Sequence, residues 1–355
     1  MLPRARLLVV PPIHSSLRLG LLCAILASLA LGGPAAASGD PRLRIAAGTA
    51  TLPLVDAWAD ASSGPPLRPL VSEKELAGLT RMLVRGEAAG AVVLGPLVDS
   101  ALEAMPGALH LPLGVSGVAL AANLPGNGPV KLTFEVLAAI ELGRVRTWDD
   151  PAIAALNPTR YLPAWPITPL QRADPAEVTA VLSAALSQRV PEFREKLGTG
   201  TLLAWPTGRR LHGAHDLALE LSMVRGALGY IDAVSGGRAA RQGLTPIALP
   251  DVAGNFLLPE PARLRAAASG GLVGPDGRVT MPSPAAPGGW PITAIVYLVA
   301  DPARSALAID LARWALDDGA GWPARAGLGE LPPRIRRDAQ ELLLRRDRLV
   351  AVPAL

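Results

Sequence analysis

The residues best suited to chemistry follow a short apolar segment, 167–170, which is typical of a buried strand. Arg172, Asp174, Pro175 and Glu177 come directly after it. Asp174 as N-cap, Pro175 at the first helical position and Glu177 at the third predict that a helix begins here. A helix N-terminus at the end of a strand attracts anions, because its free N–H groups and its dipole converge there. With an arginine alongside, the pattern predicts an oxyanion site.

Other chemistries find little support in this sequence. His212 and His215 are close enough to suggest a metal site, but only Asp216 lies nearby and no cysteine accompanies them. The chain has no Gly-x-Ser-x-Gly or His-Glu-x-x-His motif. The adjacent acids Asp149 and Asp150 are explained by helix capping, so no carboxylate pair is left for acid–base catalysis. We therefore predict a protein that is not an enzyme, has no cofactor and has no metal.

Helices and strands alternate around the predicted anion site. Apolar spacing predicts a helix at 134–142 that ends before Gly143, and Asp150-Pro151 predicts the start of a second helix. Further helices are predicted at 54–59, 73–85, 213–223, 261–268 and 333–345, with one more from Asp301-Pro302 to residue 316. Strands are predicted at 43–46, 91–94, 110–123, 167–170 and 290–299. This alternation is typical of the α/β class.

Four segments resemble one known family. Residues 142–158 read LGRVRTWDDPAIAALNP, 198–206 read GTGTLLAWP, 226–230 read GALGY and 290–293 read WPIT. They resemble the phosphate-binding receptors of bacterial ABC importers, the PstS-like periplasmic binding proteins. The resemblance implies the two-lobed type II fold: each lobe is a mixed β-sheet flanked by helices, with the ligand cleft between lobes. It also implies inorganic phosphate as ligand and an ABC importer permease as partner.

The resemblance assigns the anion site to a loop that in the family reads Arg-Ala-Asp-Gly-Ser-Gly-Thr. Arg172 and Asp174 match that motif, but the four residues after them do not; they are Pro175, Ala176, Glu177 and Val178. Two hydroxyl donors are lost, and proline has no N–H to donate. A glutamate here would also repel a dianion by about 1 kcal/mol or several times that, depending on the local dielectric. We therefore expect the usual site to be partly lost.

The family's other contacts come from the N-terminal part of the chain. Thr51, followed by a proline, matches the family's anion-contacting hydroxyl residue, although it is equally explained as a helix cap. Leu94 stands where family members carry the aspartate that accepts the proton of bound phosphate. Asp99 is the nearest acid, and we expect it to lie past the strand. The missing aspartate is a second reason to expect a weakened site.

The first 37 residues resemble a signal peptide. Arg4, Arg6 and Arg18 precede an apolar run at 19–31, and small residues up to Ala37 suit cleavage; an uncleaved N-terminal anchor is the alternative. Cleavage near Ala37 predicts a periplasmic or secreted protein without Cys23, its only cysteine. It also removes three arginines from a chain of formal net charge +4, which leaves +1. We expect no nucleic-acid partner and no membrane span in the mature chain.

The mature chain is long enough for two lobes. The apolar strand at 110–123 would cross from the first lobe to the second, and the chain would return near 230–232. Lobe 1 is therefore predicted to be discontinuous, at 38–112 plus 236–355, and lobe 2 to span 113–235. Two functions stay open: an exported receptor for phosphate or another anion, and a diverged protein of this fold. The diverged protein would bind another solute or act through protein contacts.

Overall fold

The structure, a computed structural model, describes residues 42–61, 63–71, 75–282 and 285–350. The predicted signal peptide and its cleavage position near Ala37 lie outside the described residues. The chain alternates strands and helices, as the sequence predicts. The strands are β1 (Leu43–Ala47), β2 (Leu67–Val71), β3 (Gly90–Leu94), β4 (Leu109–Ala122), β5 (Val130–Lys131), β6 (Thr168–Arg172), β7 (Arg209–Leu211), β8 (Ala227–Asp232), β9 (Thr245–Pro250), β10 (Phe256–Leu257), β11 (Leu272–Val273), β12 (Val279–Thr280) and β13 (Thr293–Ala300).

The helices lie between these strands and cover the sheet. They are α1 (Leu52–Ala59), α2 (Glu75–Val84), α3 (Asp99–Leu102), α4 (Phe134–Glu141), α5 (Pro151–Ala154), α6 (Glu177–Arg189), α7 (Pro191–Lys196), α8 (Gly213–Met223), α9 (Ala233–Arg241), α10 (Pro261–Ala267), α11 (Ala306–Leu316), α12 (Trp322–Arg325) and α13 (Pro333–Val350). No helix among the described residues is both long enough and apolar enough to cross a membrane.

One mixed sheet of eleven strands organises the described part of the chain, and β4 runs through its centre. The principal strand order is β2-β1-β3-β13-β4-β8-β6-β7. The first part of β4 pairs antiparallel with β13, and its last five residues pair antiparallel with β8. We call the β2-β1-β3-β13 side the β3 half and the β8-β6-β7 side the β6 half. All fourteen residues of β4 are buried, because this strand crosses between the two halves.

Local sequence signals explain several helix boundaries. Thr133 caps α4 by accepting a hydrogen bond from the Val136 N–H, and Gly143 follows the helix with φ of 77°. That left-handed conformation costs glycine little, which is why it suits the position after a helix. Asp150 caps α5 by accepting from the Ala152 N–H at 2.9 Å. The predicted helix end before Gly143 and the predicted helix start at Asp150-Pro151 are confirmed.

The predicted start of α11 is wrong. The helix begins at Ala306, and Ser305 is its cap, because the Ser305 hydroxyl accepts from the Ala308 N–H at 3.2 Å. Asp301 instead closes a turn by accepting from the Ala303 N–H at 3.0 Å. Asp-Pro suits a turn as well as a helix start. The Ser305 cap therefore sets the N-terminal boundary of α11.

Candidate functional site

Arg172 is the last residue of β6 and lies almost entirely inside the protein, with 1% of its surface exposed. Its Nε donates to Asp174 Oδ1 at 2.9 Å, and its Nη2 donates to Asp174 Oδ2 at 2.6 Å. This two-point contact is the strong geometry of an arginine–carboxylate pair. Asp174 therefore uses two of the donors with which Arg172 would hold an anion.

Asp174 does not cap α6, contrary to the prediction from the sequence. Besides Arg172, its Oδ1 accepts from the N–H of Gly213, the first residue of α8, at 3.1 Å. Burial alone would raise the pKa of Asp174, but the hydrogen bonds from Arg172 and Gly213 outweigh it and lower that pKa. The carboxylate joins two segments 39 residues apart. The Asp174 side chain therefore bonds these tertiary partners instead of capping the helix that follows it in the sequence.

The helix α6 begins at Glu177, two residues later than predicted. Its N-cap is Ala176, which offers no side-chain cap. Glu177 and Val178 are buried, with 4% and 7% of their surfaces exposed. Glu177 Oε2 lies 3.5 Å from the position that a Cβ on Gly48 would take. The glutamate thus places a carboxylate at the N-terminus of α6, where the helix dipole favours negative charge.

A small cavity of about 10 Å³ lies beside Arg172 and Glu177. A cavity of that size holds about one water molecule. Its lining comes from both halves of the sheet: Thr49 and Ala50 follow β1, and the other lining residues are Arg172, Glu177, Val178, Ala214, Leu217, Tyr230, Ile231 and Asp232. We call this space the arginine cavity.

Tyr230 and Thr179 lie behind Arg172 and support its backbone, although the sequence singles out neither as a site residue. The Tyr230 hydroxyl accepts from the Arg172 N–H at 3.0 Å and shares a hydrogen bond of 2.9 Å with Thr179 Oγ1. Burial raises the pKa of Tyr230 to about 12. Nearby Asp232 caps α9 by accepting from the Ser235 N–H, and burial raises its pKa. The conspicuous GALGY segment was the only sequence signal for Tyr230.

A second buried acid lies next to the end of β6. Gln171 Nε2 donates to Glu141 Oε2 at 2.8 Å, and both residues are buried. Burial raises the pKa of Glu141 to about 7, and the hydrogen bond from Gln171 opposes that shift only in part. Glu141 is the last residue of α4, whose apolar periodicity gave no reason to single out a charged group.

Thr51 lies at the N-cap position of α1, yet its side chain makes no cap hydrogen bond. Its hydroxyl donates to the Val92 carbonyl at 2.7 Å, and the residue is fully buried. The neighbours Thr49 and Ala50 line the arginine cavity, whereas Thr51 does not. The hydroxyl thus joins α1 to β3, and the predicted contact between Thr51 and an anion stays a prediction.

Leu94 ends β3 and is 3% exposed. It lines a separate space of about 520 Å³ against α6, which we call the α6 groove. The Arg172 side chain does not line this groove. The structure therefore separates Leu94 from the arginine cavity, while it brings together Arg172, Asp174, Glu177 and Val178. Among the described residues, no group of three or more His, Cys, Asp or Glu side chains could hold a metal ion.

The mixed sheet flanked by helices is the architecture of an α/β protein, and its two halves meet at an arginine-containing cavity. The chain belongs to the PBP superfamily domain family, whose model matches residues 33–318. This family membership confirms the fold class predicted from the sequence.

Relatives with known names strengthen the resemblance. The chain is 28% identical over 247 residues to the phosphate-binding protein PstS of Xylella fastidiosa. The aligned region covers 67% of this chain and 67% of that protein. It is 30% identical over 222 residues to PstS of Pasteurella multocida, covering 59% of this chain and 63% of that protein. A high-affinity periplasmic phosphate-binding protein solved with phosphate shares the fold, with a TM-score of 0.64 and 15% identity. That match covers 84% of this chain and 93% of the solved one. The resemblance to PstS-like receptors is confirmed.

Proposed function

We propose that this protein is an exported, non-catalytic solute-binding protein of an ABC importer, descended from phosphate receptors, with the phosphate site partly lost. The proposal is based on the position of Arg172. It ends β6 beside the N-terminus of α6, in a cavity that the loop after β1 closes from the other half of the sheet. That is the arrangement in which α/β proteins hold anions.

The partial loss is attributed to Glu177. Its carboxylate is buried next to Arg172, in the segment where the family loop offers glycine and hydroxyl groups to the ligand. In a site of low dielectric, a fixed negative charge strongly opposes a second anion. Asp174 also occupies two donors of Arg172. In this arrangement, carboxylates of the protein itself lie next to the arginine at the place where a bound anion would lie.

The named relatives support a proposed partner and a proposed location. The matched PstS proteins bind phosphate by name, and the solved neighbour is periplasmic. We therefore propose that this protein acts in the periplasm, with phosphate or another small solute as ligand and an importer permease as partner. The lobes are proposed at 38–112 plus 236–355 and at 113–235. The pairing of β4 first with β13 and then with β8 supports the proposed first crossing.

The alternative is a diverged protein of the same fold that binds another solute or acts through protein contacts. Leu94 favours this alternative, because an apolar side chain replaces the family's proton-accepting aspartate. It also lines the much larger α6 groove instead of the arginine cavity.

Calorimetric titration of inorganic phosphate into the purified protein tests the proposal. A second variant restores the family loop by Pro175→Gly, Ala176→Ser, Glu177→Gly and Val178→Thr. We expect at most weak, millimolar phosphate binding by the unmodified protein and micromolar binding by the restored variant. Adding Arg172→Gln to the restored variant should abolish that binding again, which is the matched control.

The two remaining outcomes each contradict part of the proposal. Tight phosphate binding by the unmodified protein would show that the site is intact and that Glu177 does not block it. Failure of the restored variant to bind, although it is folded by circular dichroism, would show that the lost function is not explained by this loop. The phosphate-receptor ancestry of the site would then lose its support.

A further inference from the structure

The α6 groove is much larger than the arginine cavity. Its volume of about 520 Å³ is within the range of small-molecule sites. One wall is the face of α6 that runs from Ala180 to Arg189, and the opposite wall includes Leu94, Pro96 and Thr293. Nine residues of helix rise over roughly 13 Å. The groove is therefore an elongated space between the β3 half and α6.

The helical wall is apolar over most of its length. Ala180, Val181 and Ala184 line it, and Ala184 is exposed to solvent. A solvent-facing helix side usually carries charged or polar residues. Leu94 and Pro96 extend the apolar surface across the groove. The walls thus suit an alkyl chain and offer few polar groups to a hydrated solute.

Arg189 places a positive charge at the C-terminal end of this apolar wall. Its guanidinium stacks on the Phe134 ring at 4.4 Å, and Nη1 donates to the Ala185 carbonyl and to Gln188 Oε1 at 3.2 Å each. Burial lowers the pKa of Arg189, yet arginine stays protonated. Within the described part of the chain, no carboxylate pairs with it, and Nε and Nη2 make no hydrogen bond.

Stacking on an aromatic face leaves the edge of a guanidinium available for a planar anion. Nε and Nη2 lie along one edge, which matches the two oxygens of a carboxylate. A cation without a fixed carboxylate, at one end of an apolar groove, is complementary to an amphipathic anion.

We propose that the α6 groove binds an alkyl carboxylate of medium chain length. The alkyl chain lies along Val181 and Ala184 against Leu94, and the carboxylate pairs with Arg189. This inference is independent of the proposed phosphate function, because it uses neither Arg172 nor the arginine cavity.

Calorimetric titration of octanoate, hexanoate, acetate and octan-1-ol into the purified protein tests the proposal. Octanoate should bind best and acetate should show no binding. Affinity should rise about fourfold per added methylene between hexanoate and octanoate. Octan-1-ol should bind at least tenfold more weakly than octanoate, because it cannot pair with the guanidinium.

Two variants locate the site. Arg189→Gln should weaken octanoate binding at least tenfold and leave octan-1-ol binding unchanged. Ala184→Phe should abolish both by filling the groove without disturbing a buried position. The matched controls are Arg194→Gln on α7 and Ala240→Phe on α9, both exposed and outside the groove. These controls should bind octanoate like the unmodified protein.

Three results would overturn the inference: no octanoate binding, octanoate binding that survives Ala184→Phe, or equal loss of octanoate and octan-1-ol in a folded Arg189→Gln variant. Thermal unfolding of each variant establishes that it is folded. Failure of the restored-loop variant to bind phosphate, with octanoate bound by the unmodified protein as described, would contradict the proposed phosphate function alone and leave this inference standing.

Discussion

The guanidinium of Arg172 and the carboxylate of Asp174 form a two-point ion pair at 2.9 and 2.6 Å. The resemblance to PstS-like receptors predicts that both residues belong to the phosphate-binding motif, so their mutual pairing decides what that motif can do here. Asp174 in addition holds the first residue of α8. The pair positions Arg172 and at the same time takes up part of its hydrogen-bonding capacity.

Asp174→Asn should destabilise the protein by about 3 kcal/mol, because it removes the charge opposite an almost completely buried guanidinium. The control is Asp310→Asn, which breaks an exposed pair with Arg313 and should cost less than about 0.5 kcal/mol. Urea unfolding at pH 7 measures both. Equal, small losses in the two variants would show that the Arg172–Asp174 pair does not stabilise the fold.

The same pair predicts how stability depends on acid. The folded-state pKa of Asp174 is lowered, so its contribution is present above the unfolded pKa and is lost as the pH falls through the folded pKa. The unmodified protein should therefore lose stability relative to Asp174→Asn below about pH 4. A constant difference between the two proteins across acid unfolding curves would contradict this prediction.

Glu177→Gln should increase the affinity for inorganic phosphate. The substitution keeps the size of a buried side chain but removes its charge from the arginine cavity. Relief of a repulsion of about 1 kcal/mol or more corresponds to at least about a fivefold gain. Glu195→Gln on α7, at an exposed position, is the control and should change nothing. An unchanged affinity in the folded Glu177→Gln variant would show that charge is not what weakens the site.

The stability of Glu141→Gln, compared with that of the unmodified protein at the same pH, should increase as the pH rises. The pKa of Glu141 is about 7 in the folded protein, above the usual value near 4.5. Its folded state thus favours the neutral acid, and stability falls as the pH rises from about 4.5 to 7. The gain of the variant over the unmodified protein should grow by up to about 3 kcal/mol across that window. Urea unfolding at pH 5 and pH 8 measures it, and a pH-independent difference would contradict the prediction.

Tyr230→Phe should destabilise the protein by about 1–3 kcal/mol, because the Arg172 N–H and Thr179 Oγ1 lose a buried partner. Tyr161→Phe is the control, since Tyr161 is 77% exposed and should show almost no effect. A double-mutant cycle with Thr179→Val separates the two hydrogen bonds. If Tyr230→Phe is as mild as the control, the hydroxyl does not support the backbone of Arg172.

The sequence predicted elements whose signals are local. The α4 helix follows its apolar spacing and ends before Gly143, and α5 begins at the Asp150 cap. The buried strand β4 and the end of β6 at Arg172 follow from runs of apolar residues. The family motifs added the fold class, which the family match confirms.

The site depends on partners that lie far apart in the chain. Asp174 has the sequence signature of a helix cap, but it bonds Gly213, 39 residues away, and Thr51 bonds Val92, 41 residues away. Glu141 and Tyr230 carry no periodic or motif-based sign of their hydrogen bonds to residues on β6.

The sequence by itself determined the alternation of strands and helices, the long buried strand β4, and the position of Arg172 next to the end of an apolar strand. Only the tertiary structure decided that Asp174 pairs with Arg172, that Glu177 is buried beside it and that Leu94 lines a different cavity. The reason is physical. Helix and strand signals act between residues a few positions apart. The hydrogen-bond partners of a buried carboxylate are instead set by the donors that the tertiary fold brings close to it, wherever they lie in the sequence.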